Sequence, residues 1–306
     1  MKEGCFKGMS GAYAAMFTPI GKDNKVNEAA IEEIVEYGIR SGLTGFYLTG
    51  STGGWFLLSP EERKLVWKRA YAAGRGRCKF IAHVGDTATD VSVDLAKAAA
   101  KIGMDWVSCV APPVFCGNFN RTYAHYRRVS EATDLPFMVY SLGSDLVPSR
   151  DIRFFDLKNV KGMKYTGRDY FAAQCLKRRL DDVKETIWFA GCDEQLLCGL
   201  ALGNVFSGGI GTTYNIIPRH FATICRLAAK GDFRTAAKWQ DEANRVVELM
   251  IESDNWSYRK AMMKFVGIDC GAYRGPFEPL TAAQERAFFK RLVDLGVVKR
   301  NQAKAR

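Results

Sequence analysis

What this chain lacks removes most function classes before any motif is read. No apolar run approaches the ~20 residues that span a bilayer. The opening Met1-Lys2-Glu3-Gly4-Cys5 has no basic region followed by an apolar stretch of the kind that directs secretion. A soluble, cytoplasmic protein without a membrane partner is expected. Nine cysteines include no Cys-x-x-Cys pair, and their number is odd in a long chain. Neither a disulfide framework nor a zinc site follows. The three histidines have no metal-ligand spacing, and a metal held by Cys192, Asp193 and Cys198 is the weaker reading of that segment. Gly-x-Gly-x-x-Gly is missing, as is a phosphate loop ending in Gly-Lys-Ser/Thr, and no Ser/His/Asp order points to a hydrolase. The net charge of +11 is spread over amphipathic helices, apart from clusters at 177–179 and 304–306. Without basic residues interleaved with aromatics, no nucleic-acid partner is expected, and attraction of a small acidic ligand is the modest use of the charge.

What is present is alternation. Short apolar, β-prone runs at 12–17, 45–48, 80–84, 106–110, 137–140, 160–165, 187–190 and 208–211 alternate with helical patterns at 28–40, 61–73, 89–102, 121–132, 150–155, 170–179, 193–202 and 218–229. Asn27 and Ser59-Pro60-Glu61-Glu62 mark helix starts, and Gly42, Gly74 and Gly103 mark stops. Eight strands followed by eight helices imply parallel strands with right-handed crossovers. Strands apolar along their whole length imply burial of both faces. The α/β class is therefore expected as a (β/α)8 barrel over residues 1–230, a fold that takes ~250 residues. Residues 231–306 read as purely helical (233–253, 257–266, 282–295), a segment packed on the barrel. Cys109 and Cys192 are expected as small core hydrophobes, and His83 as a core histidine with satisfied ring nitrogens.

Barrel chemistry gathers at the C-terminal ends of the strands. Those ends read Thr49-Gly50-Ser51-Thr52-Gly53-Gly54, Tyr140-Ser141, Lys164-Tyr165-Thr166-Gly167, Gly191-Cys192-Asp193-Glu194 and Gly211-Thr212-Thr213-Tyr214. Lys164 closes an apolar strand, where lysine is rarely accommodated unless paired or functional. Burial of a lysine at a barrel mouth favours the free amine and makes it a nucleophile for carbonyl carbon. The plainer alternative is a lysine reaching out to solvent. Tyr140 can carry a proton on its phenol or merely pack the barrel top. Hydroxyls and flexible backbone at 50–53 suit a carboxylate. Asp193 and Glu194 either hold substrate hydroxyls or cap the next helix.

Taken together, these segments resemble a family. Phe17-Thr18-Pro19, Gly50-Ser51-Thr52-Gly53, Ser59-Pro60-Glu61-Glu62-Arg63, Met138-Val139-Tyr140, Gly162-Met163-Lys164-Tyr165-Thr166 and 209–215 are similar, in order and spacing, to the N-acetylneuraminate lyase and dihydrodipicolinate synthase superfamily over nearly the full length. Thr166, Gly191-Cys192-Asp193-Glu194 and Thr213-Tyr214-Asn215 resemble its sialic acid lyase branch. Asp145 stands where the synthases carry an arginine. The resemblance implies a Schiff-base aldolase without metal or organic cofactor, with Lys164 as nucleophile and Tyr140 as proton carrier. It further implies that Ser51 and Thr52 hold the carboxylate, and that Thr166, Gly191, Asp193, Glu194 and Thr212 hold the sugar. It implies N-acetylneuraminate as substrate, pyruvate as product and a homotetramer. Another 2-keto-3-deoxy sugar acid is the alternative substrate, since the Ser141–Asp145 loop is altered, and three segments depart from the family pattern. Gly54 replaces a glutamate, Ser141-Leu142-Gly143 replaces a residue followed by Ile-Pro, and Thr212 replaces a serine.

Overall fold

The computed structural model describes residues 6–114, 118–143, 145–253 and 255–304. Met1 to Cys5, Cys116, Ser144 of the loop after Tyr140, and the last two residues of the basic tail lie outside the described residues. Eight parallel strands close a barrel in chain order. They are β1 (Gly11–Ala15), β2 (Gly45–Leu48), β3 (Lys79–His83), β4 (Trp106–Val110), β5 (Phe137–Leu142), β6 (Val160–Thr166), β7 (Ile187–Ala190) and β8 (Gly208–Gly211). Helices α1 (Glu28–Arg40), α2 (Pro60–Gly74), α3 (Thr89–Ile102), α4 (Phe119–Glu131), α5 (Pro148–Asp151), α6 (Tyr170–Asp181), α7 (Leu196–Leu200) and α8 (Pro218–Ala228) follow the strands. Three more, α9 (Phe233–Ile251), α10 (Ser257–Val266) and α11 (Ala282–Asp294), end the chain. The expected barrel with its C-terminal helices is the observed fold.

Local chemistry explains most boundaries. Asn27 accepts from the Ala30 N–H at 3.2 Å, and Ser59 with Glu62 forms a reciprocal capping box at the start of α2. Gly103 ends α3 in the left-handed conformation. Gly74 does not act this way, because α2 runs through it and Gly76 takes the positive φ instead. Two expected helices are broken. The segment read as 150–155 is a four-residue α5 followed by a 3-10 turn at Ile152–Asp156, and that read as 193–202 is a 3-10 turn at Asp193–Gln195 leading into the five-residue α7. The second has a visible cause: the Asp193 carboxylate is spent on Thr213 and leaves the helix start uncapped. Cys192 lies beyond the end of β7 and is half-buried, whereas Cys109 is the buried core thiol expected.

Alternation along each strand sorts the core into two compartments. Met163 and Tyr165 face the helices with the larger apolar cluster. Tyr13, Tyr47, Ile81, Trp106, Met138, Tyr140, Ile187, Phe189 and Ile210 fill the barrel's interior. Gly162, Lys164 and Thr166 share that inward face by the period of two. Gly162 makes room for Trp106, since a Cβ there would meet the Ile187 carbonyl oxygen at 2.5 Å and the indole at 3.1 Å. Lys164 thus stands one pleat above Gly162, in register with Tyr140 and Phe189. Among the described residues, no helix is long and apolar enough to cross a membrane, and no three His, Cys, Asp or Glu side chains group as a metal site.

Candidate active site

Lys164 and Tyr140 occupy paired positions on β6 and β5. The lysine is 4% exposed, so it does not reach out to solvent. Its Nζ lies 4.1 Å from the centroid of the Tyr140 ring and 4.5 Å from that of Tyr47. Two aromatic rings therefore flank the amine. The two rings meet edge to face at 6.0 Å. Tyr47 is fully buried, donates to Ser108 Oγ at 3.0 Å, and is held well above the ordinary phenol range by that burial. It stays neutral.

His83 packs against both of these rings, with centroids 6.0 Å from Tyr47 and 6.1 Å from Tyr140. Its Nδ1 is 3.0 Å from the Thr49 carbonyl, and the Val110 N–H donates to its Nε2 at 3.3 Å. The second contact makes Nε2 an acceptor, so the proton sits on Nδ1 and the ring is neutral. Burial, then the nearby Arg63 and Lys164 charges, push its pKa far below the usual histidine value. Both nitrogens are satisfied, as expected of a core histidine. The guanidinium of Arg63, wholly buried, donates to the carbonyls of His83 at 2.5 Å and Gly85 at 3.0 Å. Thus α2 is tied to the end of β3.

The segment carrying Ser51 and Thr52 leaves β2 through Thr49, which holds φ at 50°, a strained value for a β-branched residue. Neighbours hold it there. Trp67 donates to its hydroxyl at 2.9 Å, that hydroxyl faces the His83 carbonyl at 3.3 Å, and the imidazole binds its own carbonyl. Thr52 Oγ1 and Thr212 Oγ1 are 2.7 Å apart, bringing the ends of β2 and β8 together across β1. From the C-terminal segment, Tyr273 donates its phenol to the Thr52 carbonyl at 2.7 Å.

On the opposite rim, Thr166 Oγ1 is buried with no hydrogen-bond partner among the described residues. Gly191 lies against it, for a Cβ at that position would fall 2.1 Å from this oxygen. Asp193 is 6% exposed, and its Oδ2 accepts from both Thr213 N–H (2.7 Å) and Thr213 Oγ1 (2.6 Å). Burial raises its pKa to about 6 against the pull of those two bonds. Glu194 is half-buried, 3.7 Å from Arg168.

Residues 8–294 match the model of the dihydrodipicolinate synthetase family. The chain belongs to that family. It is 32% identical over 280 residues to an N-acetylneuraminate lyase of Rhizobium meliloti, covering 90% of this chain and 91% of the relative. An Escherichia coli enzyme of the same name is 31% identical over 278 residues, covering 89% and 92%. The solved N-acetylneuraminate lyase of Mycoplasma synoviae superposes with a TM-score of 0.86 at 30% identity, over 95% of this chain and 99% of that one. That of Fusobacterium nucleatum gives 0.87 at 29%, over 95% and 100%. The chain is therefore a carbon–carbon lyase of the aldolase type.

All nine residues singled out in the sequence (Ser51, Thr52, Tyr140, Lys164, Thr166, Gly191, Asp193, Glu194 and Thr212) lie at or just beyond the C-terminal ends of β2, β5, β6, β7 and β8. Capping of the following helix by Asp193 is not what the structure shows, since its carboxylate turns to Thr213. Sequence reasoning gave no role to Tyr47 or Tyr273, and read Thr49 as the start of the polar β2 end without its strained backbone. A tyrosine inside the run at 45–48 was the one available signal for Tyr47. Nothing in the local sequence marks Tyr273 or the strain at Thr49.

Proposed function

We propose that this family member cleaves N-acetylneuraminate to N-acetylmannosamine and pyruvate through a Schiff base on Lys164. The observation that carries the reading is a buried lysine amine set between two tyrosine faces, one of them on the neighbouring strand position. Ser51 and Thr52 hold the 2-keto acid's carboxylate. The free amine of Lys164 adds to C2, water leaves, and an iminium forms. The C4 hydroxyl gives up its proton to Tyr140, relayed by the substrate's own carboxylate, and its oxygen electrons form the aldehyde. The C3–C4 bonding pair moves into the iminium, giving an enamine. Protonation at C3 and hydrolysis then release pyruvate and the lysine. Thr166, Gly191, Asp193, Glu194 and Thr212 hold the sugar, and the buried unpaired Thr166 hydroxyl supports that assignment. No separate electron sink is required, because the iminium supplies it.

Borohydride reduction in the presence of pyruvate, followed by peptide mass spectrometry, tests the reading. A reduced pyruvyl adduct on Lys164 is expected, and its absence there overturns it. A second substrate is favoured by the rim after β5, where Gly143 takes a left-handed backbone and Leu142 is 47% exposed. An unacetylated 2-keto-3-deoxy sugar acid would meet that altered rim. Pyruvate release from a panel of 2-keto sugar acids separates the two readings, and N-acetylneuraminate ranking below an unacetylated acid replaces the first by the second. We further propose a cytoplasmic homotetramer, which light scattering from an active monomer would contradict.

A further inference from the structure

Beside Gly53 and Gly54, at the end of the loop that carries Ser51 and Thr52, lies a cavity of about 10 Å³. That is room for one water-sized particle. Its walls include Thr18, Gly53, Gly54, Lys260, Tyr273 and Arg274. Two of these are cations, and none is a carboxylate. Arg274 is already compensated, since it forms a two-pronged pair with Glu62 at 2.8 and 2.5 Å and also donates to the Leu57 carbonyl at 2.9 Å. Lys260 is not. It is 2% exposed, donates to the Ala272 carbonyl at 2.9 Å, lies 4.6 Å above the Tyr273 ring, and forms no ion pair among the described residues. An ammonium has three donors, and a buried charge without a counter-charge is costly. The Thr18 hydroxyl is likewise buried, 2% exposed, and has no hydrogen-bond partner among the described residues. It lies 3.3 Å from where a Cβ on Gly53 would stand, so it borders the same space. Gly54, where the family resemblance expects a glutamate, adds no side chain.

We propose that this cavity is a halide site, which takes one chloride ion between the Lys260 ammonium and the Thr18 hydroxyl. A single-atom anion fits the volume, supplies the missing counter-charge and accepts from both unused donors. Lys260 is lowered to about 8, chiefly by burial, with Cys270 and Asp269 opposing the shift and Arg274 adding to it. Near neutrality the ammonium is thus retained, though held with difficulty in the absence of an anion. The site bears on the active-site loop, because the ring under the Lys260 amine belongs to Tyr273, whose phenol holds the Thr52 carbonyl. Occupancy would stiffen the backbone from Thr52 to Gly54. The inference is independent of which sugar acid the enzyme cleaves.

Thermal unfolding of the full-length protein at neutral pH, in sodium chloride against sodium gluconate at equal ionic strength, tests it. A saturable rise in Tm with chloride is expected, about 2 °C at tenfold over half-saturation, the elevenfold mass-action gain spread over a chain of this size. Thr18→Val removes one donor without changing shape and should abolish the rise, leaving the Tm in gluconate unchanged. Lys260→Met should abolish it too, and if that variant does not fold, Thr18→Val decides alone. Bromide in crystals should give an anomalous peak between Lys260 and Thr18. Equal Tm values in the two salts, a chloride effect that survives in Thr18→Val, or a water that bromide does not displace would each overturn the proposal.

Discussion

Replacing Asp193 by asparagine should make the protein more stable above neutrality while leaving it unchanged in acid. The structure gives the magnitude. Asp193 titrates near 3.8 when unfolded and at about 6 when folded, with burial as the main cause and the Thr213 bonds and Lys164 opposing it. That gap of about two pH units, at ~1.36 kcal/mol each, is about 3 kcal/mol. The sign follows from which state holds the proton. Between about pH 4 and pH 6 the folded chain keeps it and the unfolded chain has lost it, so stability is full below pH 4 and falls as the pH rises through 6. Asparagine stands in for the protonated form. Its amide oxygen can accept both Thr213 bonds, because both end on the one oxygen, Oδ2. Urea unfolding followed by circular dichroism, from about pH 4 to about pH 8 on both proteins, measures the difference directly. Asp193→Asn should gain up to about 3 kcal/mol at pH 8 and nothing at pH 4. A difference that does not vary with pH, or one that favours wild type as the pH rises, would refute the reasoning.

Tyr140→Phe should lower kcat by roughly 10²–10⁴ while borohydride still traps the pyruvyl adduct, because the phenol is assigned to proton transfer and not to imine formation. Loss of the adduct would instead make it a structural support of Lys164. Arg63→Lys cannot reproduce the forked grip on the His83 and Gly85 carbonyls, and should cost about 2–4 kcal/mol in chemical denaturation. Ser59→Ala removes half of a capping box and should cost ~1 kcal/mol by the same measurement. Gly191→Ala would drive a methyl into Thr166 Oγ1, and should raise the KM for the sugar acid while leaving adduct formation with pyruvate intact.

The barrel was legible because its signal is redundant: eight apolar runs and eight amphipathic patterns support one another, and a misplaced end changes nothing. Helices after β5 and β7 were misread because periodicity describes side chains, whereas these segments are shaped by polar ties such as Asp193 to Thr213. Lys164 was legible for the opposite reason, as a charge that an apolar strand should not contain. Tyr47 was not, since an apolar run buried on both faces does not reveal which residues face inward. Thr49 was hidden by its own type, because a β-branched residue is a poor candidate for a positive φ, and only Trp67 and His83 hold it there. Tyr273 was beyond local reading altogether, being 221 residues from the carbonyl it holds.

That last separation bears on how the enzyme is made. During synthesis, β2 and its loop emerge early, but Thr52 waits for Thr212, 160 residues later, and then for Tyr273. Until that tyrosine has cleared the ribosome, the Ser51–Thr52 loop has the Thr212 contact and no partner for the Thr52 carbonyl from the C-terminal segment. A nascent chain therefore cannot display a finished site before nearly all of it has been translated, and fragments that stop before Tyr273 should carry Lys164 in a closed barrel whose Thr52 carbonyl lacks that phenol.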